Sequence, residues 1–384
     1  MEDKLTILVV DDEPFNVDYL VQELEDLGVN TIVAFDGIEA IEQIKTHSPD
    51  LVLLDIMMPK MDGFEVLAKL KSDEVHRSIP VIIISAHSEM ENVLKGIEMG
   101  AEDYLPKPFD PLLLHARVNA SLEKKRFRNL EKKYLESLER ELNIGRDIQA
   151  GFLPEEVPSV SGWEVETFFR AAKEVSGDFY DLFELQSGHF GFILGDVTDK
   201  GVGAALYMAL YRSLFRAYFL ENKATDSSAS DQLQAAISQT NAYICANHAE
   251  PHFLTAFAGI IDPQTGSLKY ISAGHDHPYF LDSKGQLSEI LPTGPLIGMM
   301  EDAEFKVKST TIEKGNLLFL YTDGLLDLIN ENEERFGQSR LKKAVDNQQE
   351  SAMIVSDLVY QLDEFSSGVS QFDDLTILAI KRKK

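Results

Sequence analysis

The first 120 residues alternate short β-branched runs with amphipathic helical patterns, and this alternation constrains the fold more than any other feature. Five runs are typical of strands: LTILVV, TIVAF, DLVLLD, IPVIIIS and EDYL. Between them lie apolar residues at helical spacing, as in FNVDYLVQELEDLG and IEAIEQIKTH. Strict alternation of this kind predicts an α/β domain with a doubly wound (βα)5 parallel sheet that carries helices on both faces.

Polar residues stand at the ends of these strands, where a buried strand would otherwise stay apolar. Asp11 and Asp12 follow the first strand, Asp55 ends the third, Ser85 ends the fourth, and Lys107 follows the fifth. The carboxyl ends of parallel strands meet at one edge of a sheet. Three carboxylates there would repel one another without a cation, and an all-oxygen site suits Mg²⁺. Taken singly, each aspartate would be read as a helix cap or turn residue.

A long helical pattern follows the first domain. It continues from Asp110 to Pro154 without a convincing breaker apart from Gly145. A helix of about 40 residues would be about 60 Å long, so we predict a connector over residues 122–152. One seam of this helix contains Leu135, Leu138, Leu142, Gly145, Gln149 and Phe152. Two interpretations stay open: a dimerising coiled coil, or a solvated helix that packs on its own domain.

The remainder of the chain has a different order of predicted strands and helices. Strand-like runs such as FGFILGDV, LTAFAGIID, SLKYISAGH and NLLFLYTD cluster around hairpin-like turns, and two long helical patterns interrupt them. Adjacent strands with inserted helices indicate an α+β domain with antiparallel sheets, here over residues 153–384.

This second domain repeats the strand-end aspartates in different motifs. SGDFYD holds Asp178 and Asp181, GDVTDKG holds Asp196 and Asp199, LYTDG holds Asp323, and QFDDL holds Asp373 and Asp374. Carboxylates that end buried strands are suited to hard metals, and two Mg²⁺ or Mn²⁺ ions bridged by one aspartate can activate water for phosphoryl transfer. The alternative is that Asp178, Asp323 and Asp373 are loop caps and turn residues.

The first cluster carries a family resemblance. VVDDEP, LLDIMMP, IISA and LPKPF make residues 5 to about 121 similar to the receiver domain of two-component response regulators. The resemblance implies a flavodoxin-like domain over residues 1–121 whose Asp55 accepts a phosphoryl group from a histidine kinase or phosphotransfer protein. The other implied roles are Mg²⁺ ligation by Asp12, Asp55 and the Met57 carbonyl, support from Asp11, a switch pair of Ser85 and Tyr104, phosphoryl contact by Lys107, and a cis Lys107–Pro108 bond.

The second cluster carries another resemblance. IQAGFLP, VSGDFYD, GDVTDKGVGAALYMA, AGHDHPYFL, LPTGPLIGM, LFLYTDG and FDDLT resemble the bacterial SpoIIE branch of the protein phosphatase 2C family. The resemblance implies an αββα sandwich of two antiparallel sheets flanked by helices, two Mn²⁺ or Mg²⁺ ions, and hydrolysis of phosphoserine or phosphothreonine by a metal-activated water. The implied metal ligands are Asp196 as the bridge, the Val197 carbonyl, Asp323, Asp373 and the weaker supporter Asp178.

Some positions depart from that pattern or stay secondary. Ser176 replaces the usual first glycine of GGDFYD, Lys173 stands where arginine is common, and Gly203 replaces a frequent proline. Asp276 and His277 stand where asparagine and proline are typical. The secondary candidates are Asp374, the less expected residue of its pair, Lys173 as a weak phosphate contact, and His275, for which a buried structural role is the alternative.

Composition limits the partners. The chain has 64 acidic against 36 basic residues, a formal net charge of −28, so nucleic acid and anionic membranes are not expected partners. One cysteine, Cys245, excludes an intrachain disulfide, and with no signal-peptide pattern at the start we expect a cytoplasmic protein.

The combined interpretation is a response regulator whose output is a phosphatase for a phosphorylated regulatory protein, by resemblance an anti-sigma-factor antagonist. A homodimer through the linker helix is the expected assembly. Two alternatives stay open: a phosphorylation-dependent scaffold without catalysis, and a two-metal hydrolase of nucleotides or phosphodiesters.

Overall fold

The computed structural model describes residues 4–86, 90–154, 156–185, 188–221, 228–247, 252–346 and 354–384. The chain forms two compact units, Met1–Leu138 and Glu139–Lys384. Each unit has its own sheets and its own buried clusters.

The first unit is a five-stranded parallel sheet with helices on both faces. Its strands are β1 (Thr6–Val10), β2 (Asn30–Ala34), β3 (Leu51–Asp55), β4 (Val81–Ala86) and β5 (Asp103–Lys107). Its first helices are α1 (Pro14–Glu25), α2 (Gly37–His47), α3 (Gly63–Ser72) and α4 (Met90–Glu98). The strand order is β2-β1-β3-β4-β5, and all pairs are parallel. The predicted doubly wound (βα)5 sheet is therefore confirmed.

Local sequence explains these elements. Along β1, Leu8 and Val10 pack in the cluster that α2 and α3 cover, whereas Ile7 and Val9 pack in the cluster on the α1 face. Both faces of the strand are thus buried, as in a sheet with helices on both sides. Asp62 caps α3 in a capping box with Glu65, which pairs donors that would otherwise be unsatisfied.

A 40-residue helix, α5 (Pro111–Ala150), follows β5. Its start is set by Pro111 and by the Asp110 carboxylate, which accepts from the backbone amides of Leu112 and Leu113. Val118 and Leu122 are buried in the first unit, and most of the helix between residues 123 and 148 is exposed.

The second unit contains two antiparallel sheets. Sheet one has the order β13-β10-β9-β8-β7, and sheet two has the order β12-β11-β14-β15-β6. The strands are β6 (Trp163–Arg170), β7 (Asp178–Glu184), β8 (Phe190–Val197), β9 (Leu254–Ile261), β10 (Ser267–Ala273), β11 (Tyr279–Leu281), β12 (Leu287–Glu289), β13 (Lys308–Thr311), β14 (Leu317–Tyr321) and β15 (Leu375–Arg382). The helices are α6 (Val202–Glu221), α7 (Ala229–Asn247), α8 (Gly324–Asp327), α9 (Gly337–Asp346) and α10 (Ile354–Phe365).

Successive side chains of a strand point to opposite faces of its sheet, and in the second unit these two faces pack in different layers. In β14, Phe319 and Tyr321 pack against α8, α9 and α10, whereas Leu318 and Leu320 pack between the sheets. In β8, Ile193 packs against α6 and α7, whereas Leu194 lies between the sheets. Helices, sheet, sheet and helices therefore follow in this order, and the predicted αββα sandwich is confirmed.

Within the described ranges, no helix combines the length and the apolar character that a bilayer span requires.

Candidate functional site

Three aspartates meet at the carboxyl edge of the parallel sheet. Asp11 and Asp12 directly follow β1, and Asp55 is the last residue of β3, its neighbour in the sheet. One ligand atom from each lies within 4.8 Å of the others. Asp11 and Asp55 are buried and Asp12 is exposed. The donor set consists of carboxylate oxygens with one side open, which fits Mg²⁺ with water in its remaining positions.

Lys107 contacts two of these aspartates. Its Nζ lies 2.8 Å from Asp11 Oδ2 and 3.0 Å from Asp55 Oδ1. Burial raises the pKa of Asp55 to about 6, and the Lys107 ammonium opposes that shift. Asp11 is held in place because its Oδ1 accepts from the Glu13 amide and the Asn16 side chain. The predicted phosphoacceptor therefore has a lysine within contact distance.

The other predicted receiver residues lie on, or directly after, neighbouring strands of the same sheet. Ser85 is buried on β4, and Tyr104 is half-buried on the adjacent β5, two register positions away. Met57 follows β3, and its side chain is exposed. The Lys107–Pro108 peptide bond is cis, as expected from the sequence. The roles assigned to these residues stay predictions.

Four aspartates from both sheets of the second unit form a second, looser cluster: their charges act on one another, but among the described residues only the receiver trio has three ligand atoms within 4.8 Å. Asp178 opens β7 and lies opposite Asp196 of β8 in the antiparallel register. Asp323 follows β14 and Asp373 precedes β15, which pair with each other in the other sheet. Thr322 Oγ1 and Thr376 Oγ1 of this second sheet donate to Asp178 Oδ2 at 2.7 and 2.5 Å. These hydrogen bonds bring the ends of the two sheets together.

Burial and mutual repulsion disfavour the charged forms of three of these carboxyl groups. Burial, followed by the charges of Asp178, Asp323 and Asp373, raises the pKa of Asp196 well above its usual range. Burial, followed by the charge of Asp374, raises the pKa of Asp178, and burial raises the pKa of Asp323 to about 6. Such a site is stabilised by divalent cations, because they remove the repulsion between the carboxylates. The donors are all oxygen, so the residues fit Mg²⁺ or Mn²⁺.

Lys200 contacts this cluster, although it was not among the site residues predicted from the sequence. Its Nζ lies 2.8 Å from Asp373 Oδ2 and donates to the Phe372 carbonyl at 2.9 Å. The signal was present, since Lys200 belongs to the same GDVTDKG motif as Asp196. Val197, the predicted carbonyl ligand, is buried at the end of β8 beside Asp196.

Asp374 lies close enough to Asp178 for its charge to raise the pKa of that carboxyl, but its own oxygens are occupied by hydrogen bonds within the protein. Its carboxylate accepts from the Ala172 and Gly177 amides at 2.8 and 2.9 Å and from Ser176 Oγ at 2.7 Å. A buried carboxylate with three donors has a structural role in holding these loops. The geometry thus favours Asp373 over Asp374 as the ligand of the pair.

The two remaining secondary candidates differ in environment. His275 is buried, with Nδ1 2.9 Å from Thr255 Oγ1, and burial lowers its pKa to about 4. A neutral, enclosed imidazole fits the structural role considered from the sequence. The Lys173 side chain is exposed. Both stay secondary candidates.

Asp181, from the same motif as Asp178, lies outside the cluster. It is buried, and its carboxylate oxygens lie 2.9 Å from Arg212 Nε and 3.0 Å from Arg216 NH1, both on α6. Asp199 is exposed on the loop after β8. Neither arginine of α6 was singled out in the sequence, because only the fold brings α6 against β7.

We expect Asp181→Asn to lower the free energy of unfolding of the second unit by about 3 kcal/mol, because it leaves two guanidinium groups beside an uncharged buried partner. Urea denaturation followed by tryptophan fluorescence of Trp163, the one tryptophan, measures this. Asp363→Asn is the matched control, since the Asp363–Arg170 pair is about half-exposed and should cost less than about 1 kcal/mol. Equal effects of the two variants would contradict the assignment.

Comparison with known proteins agrees with this geometry. Stage II sporulation protein E (SpoIIE) matches residues 186–383, just over half of the chain, and the response regulator receiver domain matches residues 7–119. Asp196, Asp323 and Asp373 lie inside the first match, and Asp178 precedes it.

Individual relatives cover different parts of the chain. Protein IcfG of Synechocystis sp. is 37% identical over 262 residues, which are 63% of this chain and 41% of that protein. The alkaline phosphatase synthesis transcriptional regulatory protein PhoP of Bacillus subtilis is 42% identical over 118 residues, which are 31% of this chain and 48% of that protein. The chain therefore spans less than half the length of either relative.

A solved structure shows the fold of the second unit. The SiaA-PP2C domain of Pseudomonas aeruginosa superposes with a TM-score of 0.56 at 22% identity, covering 65% of this chain and 98% of that one. The receiver edge, the two-sheet aspartate cluster and these matches lead to one conclusion: the chain belongs to the SpoIIE family of PP2C-type domains and carries a response regulator receiver domain before it.

Proposed function

We propose that this protein is a response regulator whose receiver controls a metal-dependent phosphatase for phosphoserine or phosphothreonine in a regulatory protein. The observation that carries the proposal is the convergence of Asp178, Asp196, Asp323 and Asp373 from two sheets. This arrangement lies in a domain of the SpoIIE family. Such a cluster suits hydrolysis by activated water, which needs no protein nucleophile.

The residues of the chain have distinct roles in this proposal. Asp196, as the shared ligand, would hold two Mn²⁺ or Mg²⁺ ions together with the Val197 carbonyl, Asp323 and Asp373, with Asp178 as the weaker supporter. The metal ions, when bound, lower the pKa of water and neutralise phosphate charge. Lys200 is placed beside Asp373, where its ammonium can orient a phosphate oxygen.

The receiver supplies the input. Asp55 accepts the phosphoryl group from a histidine kinase or phosphotransfer protein, with Mg²⁺ held by Asp12, Asp55 and the Met57 carbonyl. Asp11 supports the ion and Lys107 holds a phosphoryl oxygen. The added charge repositions Ser85 and Tyr104 and thereby biases α5. We propose three segments for this signal: the receiver over 1–121, the linker over 122–152 and the phosphatase over 153–384.

The linker helix is proposed to dimerise. Leu135 and Leu138 of the predicted seam are exposed, as a dimer contact requires. Further along, the seam turns inward: Gln149 is buried, and a Cβ at Gly145 would meet Val175 at 3.7 Å. Other exposed apolar residues on the helix are Phe127, Leu130, Tyr134, Ile144 and Ile148. We therefore place the dimer contact before Leu142.

The substrate is proposed to be a small phosphorylated regulatory protein of the anti-sigma-factor antagonist type, acted on in the cytoplasm. Membership of the SpoIIE family and the lack of any nucleic-acid motif in the sequence support it. The acidic surface, with its net charge of −28, opposes contact with nucleic acid or anionic lipid.

A substrate panel tests the proposed reaction. We expect the full chain with Mn²⁺ to release phosphate from phosphoserine and phosphothreonine peptides and from p-nitrophenyl phosphate, and to leave nucleotides and phosphodiesters intact. Cleavage of nucleotides without action on the peptides would replace the proposal by a nucleotide hydrolase. Binding of a phosphoprotein without turnover of any substrate would replace it by a scaffold.

A further inference from the structure

The last turn of α5 is hydrogen-bonded to the backbone just before β7. Gln149 is 8% exposed; its Nε2 donates to the Ser176 carbonyl at 2.7 Å, and its Oε1 accepts from the Ser176 amide at 2.9 Å. Both ends of one side-chain amide are therefore paired with a single residue. Two short, buried hydrogen bonds of this kind fix the distance between the helix and that residue.

Ser176 is hydrogen-bonded both to Gln149 and to the backbone amide of Asp178, a predicted metal ligand. Its side chain is fully buried, its Oγ donates to Asp374 Oδ2 at 2.7 Å, and the same Oγ accepts from the Asp178 amide at 3.0 Å. Asp374 also accepts from the Gly177 amide. The residues between the helix and Asp178 are thus joined by a continuous set of buried hydrogen bonds.

Asp178 has two independent supports. Thr322 and Thr376, from the second sheet, hold its carboxylate, whereas Ser176 holds its backbone amide. The first support belongs to the sandwich itself, and the second depends on Gln149 of α5. A displacement of the helix end therefore acts on the backbone of Asp178, and the sheet support stays in place.

We infer that Gln149 and Ser176 are a positioning pair through which the end of α5 sets Asp178, and with it the affinity of the second unit for Mn²⁺. The inference rests on the proposed function and deepens it, since it names the contact through which regulation reaches the metal ligands. Ser176 stands where the family pattern has glycine, so the hydroxyl part of this link belongs to this chain.

The expected effects follow from the hydrogen bonds lost. Gln149→Ala leaves the Ser176 amide and carbonyl unpaired in a buried position, and we expect about tenfold weaker Mn²⁺ binding. Ser176→Ala removes the hydroxyl and keeps the contact with Gln149, and we expect about threefold weaker binding. Because Asp196, Asp323 and Asp373 are unchanged, the rate at saturating Mn²⁺ should stay within about twofold of the wild-type rate.

Two measurements on the full chain test the pair. Isothermal titration calorimetry, with Asp12→Ala in every sample so that the receiver lacks a metal ligand, gives the Mn²⁺ dissociation constant of the second unit without any substrate. Hydrogen exchange of the metal-free protein reports the Ser176 and Asp178 amides. Gln149→Ala should raise the constant about tenfold and speed exchange at both amides. Asp147→Ala, which changes an exposed residue of the same turn, is the matched control and should change neither.

The inference is overturned if Gln149→Ala lowers the melting temperature but leaves Mn²⁺ binding unchanged, because the contact is then only structural. If that variant does not fold, Ser176→Ala and Ser176→Gly carry the same test. Wild-type Mn²⁺ binding without phosphopeptide hydrolysis would defeat the proposed function and not this pair.

Phosphorylation of the receiver tests whether regulation reaches the metal ligands through Gln149. In the wild type, treating the receiver with acetyl phosphate should shift the Mn²⁺ dissociation constant, and in Gln149→Ala the shift should disappear. A shift of the same size in Gln149→Ala, or no shift in the wild type, would overturn the role of the pair in regulation.

Discussion

Asp196→Ala lowers the Mn²⁺-dependent phosphatase rate by at least about 10³-fold, because it removes the carboxylate that joins both halves of the cluster. Loss of about 4 kcal/mol of transition-state stabilisation gives this factor. Burial, followed by the charges of Asp178, Asp323 and Asp373, raises the pKa of Asp196, so this residue interacts with all three of the other aspartates. Release of phosphate from a phosphoserine peptide measures the effect.

Stability distinguishes loss of chemistry from loss of fold. Without metal, Asp196→Ala should keep the cooperative unfolding transition of the second unit, because Asp178 retains its hydrogen bonds to Thr322 and Thr376. Asp302→Asn, which changes an exposed aspartate of the same unit, should keep the full rate. If Asp196→Ala retained more than about a tenth of the wild-type rate, the cluster would not be the catalytic site.

Asp55→Ala prevents phosphorylation of the receiver altogether. Asp55 is the buried carboxylate that contacts Lys107 beside Asp11 and Asp12, and no other predicted phosphoacceptor exists in this group. Intact-mass spectrometry after incubation with acetyl phosphate and Mg²⁺ should show one phosphoryl group on the wild type and none on the variant. Asp26→Asn, an exposed aspartate after α1, should be phosphorylated like the wild type. Phosphorylation of Asp55→Ala to the wild-type extent would place the phosphoacceptor elsewhere.

We expect phosphorylation of Asp55 to become slower at acidic pH. Because the pKa of Asp55 is raised to about 6, its carboxylate is increasingly protonated as the pH falls through 6. A protonated carboxyl is a poor nucleophile, so the phosphorylation rate should decline below that pH in the metal-free limit and less steeply with Mg²⁺ present.

The fold was predictable because the patterns are local. β1 and β14 were recognisable as short, continuous apolar runs, which are typical of strands that are buried on both faces. The aspartates were recognisable because Asp55, Asp196 and Asp323 stand at the ends of strong apolar runs. Sequence spacing was sufficient for both.

Contacts between distant segments were not predictable. Gln149 and Ser176 are 27 residues apart, and Arg216 and Asp181 are 35 apart, so only the folded unit shows that they pair. The heptad seam was read as one continuous stripe, but Gln149 turns to its own domain while Leu135 stays exposed. The spacing of apolar residues along a helix does not show whether they pack against a partner chain or against the domain that follows the helix.

The most direct test of the account measures the Mn²⁺-dependent phosphatase rate of the full chain before and after receiver phosphorylation, with the molecular mass in solution determined on the same samples. We predict that phosphorylation changes the rate, that Asp55→Ala abolishes the change, and that the mass corresponds to a dimer. Equal rates for the phosphorylated wild type, the unphosphorylated wild type and Asp55→Ala would contradict the claim that the receiver controls the phosphatase.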